Sequence, residues 1–318
     1  MSNCSYALSR LMGALESAGL SAHVEVSDGT AGIASPIRLA TEWTGFHLTA
    51  PWGQCYAKVL HDDMRALIDI ERTGRATQLA ADCDVTPGVR LVDVAAGVLL
   101  LDALPAHEWR WARLDELLQP QRLQALWALK RQLHVGTSPG FNRSPLQDIQ
   151  HLRELCSRDG VGLPADHGWI ETCIDLAWTA LQLSPGTCVP LHGDGLASNV
   201  MIGPGGALQL IDFDYAGCFD PWYDVAVSLN ELYAFESQWR DGIKAWAGEC
   251  RECDYARCRL YALINDWYWT LWGLWVGATS TRPLEFSKVG QWTLLRCRQS
   301  LQDPRFESWL RQVQEGQA

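Results

Sequence analysis

The strongest constraint in this sequence is a polar stretch that places acids and an amide around a short apolar hairpin. His192-Gly193-Asp194 is followed by Asn199, the apolar residues 200–202, a turn rich in Gly and Pro, and then Ile211-Asp212-Phe213-Asp214. Short apolar runs on either side of such a turn are typical of a β-hairpin. We therefore expect Asp194, Asn199 and Asp212 to converge beside this hairpin.

These residue types and their spacing suit phosphoryl transfer. The Asp194 carboxylate can accept the proton of an attacking hydroxyl, while Asn199 and Asp212 can hold Mg²⁺ against the phosphates of a nucleotide. His192 is expected to hold the loop through hydrogen bonds, and Asp224 to cap or anchor it. The pattern leaves Asp214 undecided between a role beside the metal and plain solvation.

Length and charge limit the possible functions. The 318 residues, 47% of them hydrophobic, can bury a sizeable core in one two-lobed fold or in two domains. The formal charge of −11 repels polyanions, so we expect no nucleic-acid partner and expect a cationic substrate to be attracted. The oligomeric state is not indicated.

Two stretches of the chain bear on secretion and membrane insertion. Residues 1–20 have an amphipathic pattern without a basic leader or a continuous apolar segment, which predicts a helix and not a secretory signal. The longest apolar stretch, about residues 267–278, is too short to span a bilayer. We expect no membrane partner and a cytoplasmic protein.

The eleven cysteines are expected to be thiols, because their scatter gives no disulfide framework. Cys250, Cys253 and Cys258 could supply thiolates to zinc, but no nearby fourth ligand closes a tetrahedral site. They fall in a predicted helix, residues 245–261, where packing is the favoured interpretation and metal binding the alternative.

Coarse patterns divide the chain near residue 105. Strand-like runs occur around 37–40 and 46–49, residues 62–81 are predicted to be helical, and strands are predicted at 89–94 and 98–101. From Leu114 onward the chain is predicted to be mostly helical, and we find no internal repeat.

The order H-G-D-x-x-x-x-N, hairpin, I-D-F-D, then Gly217, Asp220-Pro221 and Tyr223-Asp224 resembles the aminoglycoside phosphotransferase and choline kinase superfamily, a branch of the protein-kinase-like fold. The resemblance implies an α+β, two-lobed protein with ATP and Mg²⁺ as cofactors. Residues 1–104 would form a small nucleotide-binding lobe with an antiparallel sheet. Residues 105–318 would form a larger, mostly helical lobe for catalysis and substrate binding.

The same resemblance implies a set of nucleotide contacts. The family keeps a basic residue on its third strand for the phosphates, here Lys58, and Glu71 lies thirteen residues later as its candidate ion-pair partner. The stretch after Leu101 resembles the hinge that holds the base. The stretch 27–35 suits a phosphate-covering loop, although an ordinary surface turn fits almost as well. The residues predicted to contact the nucleotide are Lys58, Glu71, Gly29, Gly32, Asp102 and Leu104.

Sixteen tryptophans are unusually many, and several lie in one predicted helix near Trp272. Aromatic residues at helical spacing are usually core. However, Leu271-Trp272-Gly273-Leu274-Trp275 resembles the L-W-G-L-W helix of choline and ethanolamine kinases, whose indoles help to cage a trimethylammonium group. The substrate contacts implied by the resemblance are Glu231, Tyr233, Trp272, Trp275 and Trp292.

Three functions follow from these patterns. The first is an ATP-dependent kinase of choline or a related amino alcohol. The second, an aminoglycoside or other cationic-alcohol phosphotransferase, uses the same catalytic residues with a different pocket. The third, an inactive relative that binds an amine, is disfavoured because Lys58, Asp194, Asn199 and Asp212 are all present.

Overall fold

The computed structural model describes residues 3–35 and 37–316 and begins with a helix and a five-stranded sheet. The strands are antiparallel in the order β1-β2-β3-β5-β4. The elements of this part are α1 (Asn3–Ser17), β1 (Glu25–Asp28), β2 (Trp43–Ala50), β3 (Gly53–Leu60), α2 (Ile70–Ala81), β4 (Val89–Asp93) and β5 (Val98–Asp102).

Beyond Asp102 the chain is mostly helical, with two small antiparallel sheets, β7 with β10 and β6-β8-β9. The predicted α+β, kinase-like fold class is confirmed. The elements are β6 (Arg110–Trp111), α3 (Leu114–Leu117), α4 (Pro120–His134), α5 (Pro145–Arg158), α6 (His167–Leu183), β7 (Val189–Leu191), β8 (Val200–Ile202), β9 (Leu208–Leu210), β10 (Gly217–Phe219), α7 (Pro221–Leu232), α8 (Glu236–Ala247), α9 (Glu252–Thr279), α10 (Phe286–Leu301) and α11 (Phe306–Glu315).

Two hydrophobic cores hold these elements. The smaller core lies between α1 and one face of the five-stranded sheet, where Leu11 and Leu15 join inward-facing residues such as Val59. The larger core takes Trp43 and Leu60 from the sheet region together with the apolar faces of the C-terminal helices. It therefore crosses residue 104, and the division into lobes at that position stays a prediction.

Three local predictions were wrong. The predicted helix 62–81 is divided, since a short 3-10 turn covers Asp62–Met64 and α2 begins only at Ile70. The run 37–40 is not a strand, since its described residues contribute only a single bridge between Ile33 and Leu39, and Ala40 is left-handed with φ 47°. The predicted helix 245–261 is interrupted, because Gly248 leaves the helical conformation with φ 86°. A glycine adopts this conformation without steric penalty, so it ends α8 and lets α9 begin at Glu252.

The tryptophan-rich helix α9 runs for 28 residues and packs against α10 at very short range. At the crossing, a Cβ added to Gly273 would lie 2.3 Å from the backbone nitrogen of Gly290. Only glycine permits this approach, because the atom that would have to move belongs to the backbone of the partner helix. Among the described residues no helix combines the length and apolar character needed to cross a membrane.

The helix crossing gives a matched pair of substitutions. We expect Gly273→Ala to lower the free energy of unfolding by about 1–3 kcal/mol through overpacking. Gly13 is exposed in the middle of α1, and nothing lies within 4 Å of an added Cβ. Gly13→Ala should therefore raise the free energy of unfolding by about 1 kcal/mol through helix propensity. Urea unfolding of both variants measures the difference, and equal effects at the two sites would contradict the close crossing.

Candidate active site

The catalytic-loop candidate leaves β7 at Leu191 and is held by the imidazole of His192. Nδ1 of this ring lies 2.9 Å from the carbonyl oxygen of Asp194, and Nε2 lies 2.9 Å from that of Ile211. The ring is buried and meets the edge of Phe213. His192 thus joins the loop that carries Asp194 to the loop that carries Asp212.

A buried carboxylate anchors the same loop from α7. Asp224 accepts hydrogen bonds from the backbone amides of His192, at 3.1 Å, and Gly193, at 2.8 Å. Its oxygens also lie 3.3 Å from Lys130 Nζ and 3.0 Å from His134 Nε2. Burial alone would raise the pKa of Asp224, but the Lys130 ammonium and the His134 hydrogen bond hold it well below its usual range. The carboxylate is therefore charged at neutral pH and fixes the loop backbone.

The second acidic loop follows β9. Asp212 adopts a left-handed backbone, φ 71°, which is uncommon outside glycine and marks a strained position. Lys58 on β3 donates to Asp212 Oδ1 at 2.6 Å, and Trp43 on β2 donates to Asp214 Oδ2 at 2.6 Å. Burial would raise the pKa of Asp212, but Lys58 lowers it, whereas burial and the charge of Asp212 raise the pKa of Asp214 well above its usual value.

Glu71 is not brought to Lys58, so the predicted ion pair is replaced by the contact with Asp212. Glu71 is exposed in the first turn of α2, because the inward face of that helix carries small residues such as Thr73. The buried acid near Lys58 is Glu42, just before β2. Burial raises the pKa of Glu42, and Thr41 donates to its Oε2 at 2.6 Å.

The glycines of the first loop lie against backbone. The amide of Gly29 donates to the carbonyl of Gly45 at 2.9 Å and so continues the pairing of β1 with β2. A Cβ on Gly32 would lie 3.0 Å from the carbonyl oxygen of Ala40. These contacts explain both glycines by close chain approach, and their phosphate-binding role stays a prediction.

The predicted hinge follows β5. Asp102 accepts a hydrogen bond from Arg90 at 2.5 Å, and the Ala103 amide donates to the carbonyl of Gln54 at 3.1 Å. Leu104 is partly exposed. Asp102 therefore ends β5 and Leu104 lies just beyond it, and their nucleotide contacts remain predicted.

Arg38, which was not among the predicted site residues, lies beside Asp194. Arg38 donates to Asp194 Oδ2 at 2.8 Å, and its guanidinium carbon lies 3.3 Å from the centroid of the Trp269 ring and 5.8 Å from that of Trp272. Asp194 Oδ1 accepts from the amide of Leu196 at 2.9 Å. The candidate base therefore meets a cation that is stacked on an indole.

The rings around Arg38 form what we call the aromatic recess: Trp269, Tyr215 and Trp272. Trp269 meets the other two edge-on, with centroids 5.1 Å from Tyr215 and 5.3 Å from Trp272. Trp269 and Tyr215 were not among the residues predicted for the site. Two signals pointed to them: Tyr215 directly follows Asp214, and Trp269 lies one helical turn before Trp272.

Of the predicted cage residues, Trp272 belongs to this recess and Glu231 lies near it. Trp272 is fully buried. Half-buried Glu231 is close enough to both Asp194 and Arg38 to interact electrostatically. Burial raises the pKa of Glu231, while Arg296 acts in the opposite direction.

The remaining predicted cage residues lie elsewhere. Trp275 donates to Asp159 at 2.7 Å, because its ring points toward the end of α5. Trp292 is 60% exposed on α10. Tyr233 ends α7 and lies beside Gly242 of α8. These contacts lie away from the aromatic recess, and the predicted part of Trp275, Trp292 and Tyr233 in the cage stays a prediction.

Oxygen ligands for a divalent ion are present beside Asp194. Asn199, Asp212 and Asp214 line one cleft with it, and the Ile211 amide donates to the Asn199 carbonyl at 2.9 Å, which keeps the two loops together. No donor among the described residues reaches the buried Oδ1 of Asp214. Carboxylate and amide oxygens suit Mg²⁺, so the residues fit this ion.

Acidic and thiol side chains alone do not complete a metal site. Within residues 3–35 and 37–316, no group of three His, Cys, Asp or Glu side chains is arranged to hold a metal ion. Magnesium here would need Asn199 and oxygens from phosphate as well. The same finding disfavours the zinc alternative for Cys250, Cys253 and Cys258, all of which are free thiols.

The family follows from a sequence match over more than half of the chain. The sequence model of the phosphotransferase enzyme family, APH, matches residues 45–261, more than half of the chain. The chain belongs to this family. The resemblance to choline kinases and aminoglycoside phosphotransferases is confirmed. No curated protein sequence matches the chain.

Solved structures share the fold at low sequence identity. A choline/ethanolamine kinase family protein from Mesorhizobium loti is 21% identical with TM-score 0.77, covering 97% of this chain and 99% of its own. Choline kinase LicA from Streptococcus pneumoniae is 13% identical with TM-score 0.73, covering 92% and 99%. A thermostable mutant of aminoglycoside phosphotransferase APH(4)-Ia, solved with AMP-PNP and hygromycin B, is 14% identical with TM-score 0.59, covering 91% and 94%.

The anchoring carboxylate predicts a stability effect. We expect Asp224→Asn to lower the free energy of unfolding by about 3–5 kcal/mol at pH 7, because Lys130 would be left buried without its counter-charge. Since the folded-state pKa of Asp224 is lowered, its contribution is present above about pH 4 and is lost as the pH falls toward that folded-state value.

Urea unfolding at several pH values measures this effect. Asp175→Asn, at an exposed position on α6, is the control and should change the free energy of unfolding by less than about 0.5 kcal/mol. Equal, small losses for the two variants would refute the anchoring role.

Proposed function

We propose that this phosphotransferase moves the γ-phosphoryl group of ATP to the hydroxyl of a small cationic alcohol, choline or a related amino alcohol. The observation that carries the proposal is the position of Asp194 between a positively charged side chain and a group of carboxylate and amide oxygens. On one side its carboxylate meets a cation stacked on Trp269, and on the other it shares a cleft with Asp212 and Asn199. A bound cation with a hydroxyl arm would thus lie between an aromatic wall and the phosphates.

Each residue of the cleft has a role in this proposal. Asp194 orients the substrate hydroxyl and accepts its proton as the new ester oxygen–phosphorus bond forms and the bond to the ADP oxygen breaks. Lys58 neutralises phosphate charge. Positioning and charge neutralisation supply most of the rate enhancement in such reactions.

Magnesium would be held by Asn199 and Asp212, with Asp214 beside them. When bound, this ion supplies positive charge that offsets the charge of the phosphate oxygens. ATP as the donor is supported by the likeness to aminoglycoside phosphotransferase APH(4)-Ia, which was solved with AMP-PNP.

Recognition of the cation is assigned to Trp269, Trp272, Tyr215 and Glu231. A quaternary ammonium group has no N–H to donate, so the negative faces of aromatic rings hold it, each contributing about 0.5–2 kcal/mol. The carboxylate of Glu231 adds attraction that needs no directed bond. Support comes from the stacking of the Arg38 guanidinium on Trp269, which presents an indole face to a positive charge.

A second candidate is phosphorylation of an aminoglycoside, favoured by the likeness to the hygromycin B complex. Both candidates use the same reaction and differ in the acceptor. Incubation with ATP and Mg²⁺ against choline, ethanolamine and hygromycin B, followed by ADP release, separates them. Turnover of hygromycin B alone would transfer the assignment to the second candidate.

The role of Asp194 predicts a rate effect. We expect Asp194→Asn to lower kcat by about 10²–10⁴-fold, because the amide cannot accept the hydroxyl proton. Steady-state kinetics with the acceptor that gives ADP release in the assay above measure this change in kcat. Circular dichroism tests whether the variant is folded. Asp175→Asn serves as the control with wild-type kcat. A folded Asp194→Asn protein with unchanged turnover would remove Asp194 from the role of base.

The aromatic recess predicts a binding effect. Trp269→Leu keeps an apolar side chain but removes the π face, so KM for the cationic alcohol should rise about tenfold with a much smaller change in KM for ATP. Trp169→Leu, at a half-exposed position on α6, is the matched control. If both variants shift the two KM values alike, Trp269 does not contact the cation.

A further inference from the structure

The segment that joins β1 to β2 inserts an arginine into the catalytic cleft. The side chains of Arg38 and Asp194 are only 8% and 5% exposed, although Arg38 belongs to a long connection at the edge of the sheet. The Ser198 hydroxyl donates to the carbonyl oxygen of Arg38 at 2.7 Å. The main chain and side chain of Arg38 thus both contact the loop that carries Asp194.

The end of this segment is tied to the C-terminal helices. Arg282, just after α9, donates to the carbonyl oxygen of Thr41 and to Asp63 Oδ2, the latter at 2.9 Å. Its guanidinium also lies 4.7 Å from the ring of Phe286. The chain three residues after Arg38 is therefore tied to the connection that follows α9.

The charge of Arg38 is matched by the acids around it. Burial alone would lower the pKa of Arg38, but Asp194, Glu42 and Glu231 together raise it. The guanidinium therefore stays charged and is a counter-ion to several partly or fully buried carboxylates. Removing it without a replacement would leave like charges facing each other in a poorly solvated site.

We propose that Arg38 is an internal occupant of the aromatic recess, which the positively charged head of the substrate displaces. The proposal rests on the proposed function for its assignment of the recess. Arg38 already makes the two contacts that a cationic alcohol needs, an indole face and the carboxylate of Asp194. The substrate must therefore carry a positive charge, because a neutral alcohol would displace Arg38 without supplying a counter-ion for Asp194 and Glu231.

Competition of this kind lowers the apparent affinity for the cation in proportion to the fraction of protein whose recess is open. If Arg38 leaves the recess one tenth of the time or less, its removal tightens cation binding about tenfold or more. Isothermal titration with tetramethylammonium, which has no hydroxyl, measures this without nucleotide or turnover. We expect Arg38→Ala to bind it at least about tenfold more tightly than wild type.

Two further variants control the experiment. Arg38→Lys keeps a cation in the recess and should stay within a few-fold of wild type. Arg311→Gln removes one positive charge from an exposed position on α11 and should leave tetramethylammonium affinity unchanged. If Arg38→Ala fails to fold by circular dichroism, Arg38→Gln removes the charge with a smaller loss of packing and carries the same expectation.

The outcomes separate this inference from the proposed function. Tighter tetramethylammonium binding without turnover of any cationic alcohol would sink the proposed function and leave Arg38 as the occupant of a cation site. Unchanged or weaker binding in a folded Arg38→Ala or Arg38→Gln protein would overturn the inference. Lower turnover with unchanged tetramethylammonium affinity would overturn it as well and assign Arg38 to the phosphates.

Discussion

The site depends on one buried carboxylate, that of Asp224. It accepts hydrogen bonds from the backbone amides of His192 and Gly193, and it is the counter-charge of Lys130 from α4. A single charge therefore joins α4, α7 and the end of β7. Because hydrogen bonds to an ionised acceptor are strong in a dry environment, the loop backbone is held in place before any ligand arrives. Asp194 is the next residue in the chain, so its backbone is held in place as well.

The rest of the cleft contains more carboxylates than basic side chains. Asp194, Asp212, Asp214 and Glu42 line one space, and Lys58 is the cation paired with Asp212 there. Arg38 supplies a second positive charge at Asp194. Buried carboxylates without counter-ions repel one another and bind protons instead. The same electrostatics that would favour a divalent ion and a cationic substrate thus explain why two basic side chains enter from the sheet side.

Several features could be predicted from the sequence, because their cause is local. The hairpin around residues 200–210 and the strands near 89–102 were predictable from short apolar runs bounded by Gly, Pro and Asp. The choice of Glu71 as the partner of Lys58 failed for a different reason. Spacing along a helix does not show which face turns inward, and α2 turns its small residues to the core. Glu42, in the segment before β2, carried no periodic signal.

By itself, the sequence determined the chemical inventory: a base, amide and carboxylate oxygens, a lysine on a strand and a helix rich in indoles. It also determined the family, since H-G-D and I-D-F-D with their spacing specify two loops beside one hairpin. Only the tertiary structure decided which indole faces the cleft. Trp269 and Trp275 lie on the same helix, but the packing of α9 against its neighbours points Trp269 toward Arg38 and Trp275 toward Asp159. Contacts between residues 38 and 194 or 38 and 269 depend on the relative placement of a sheet edge and a distant helix, which no local pattern encodes.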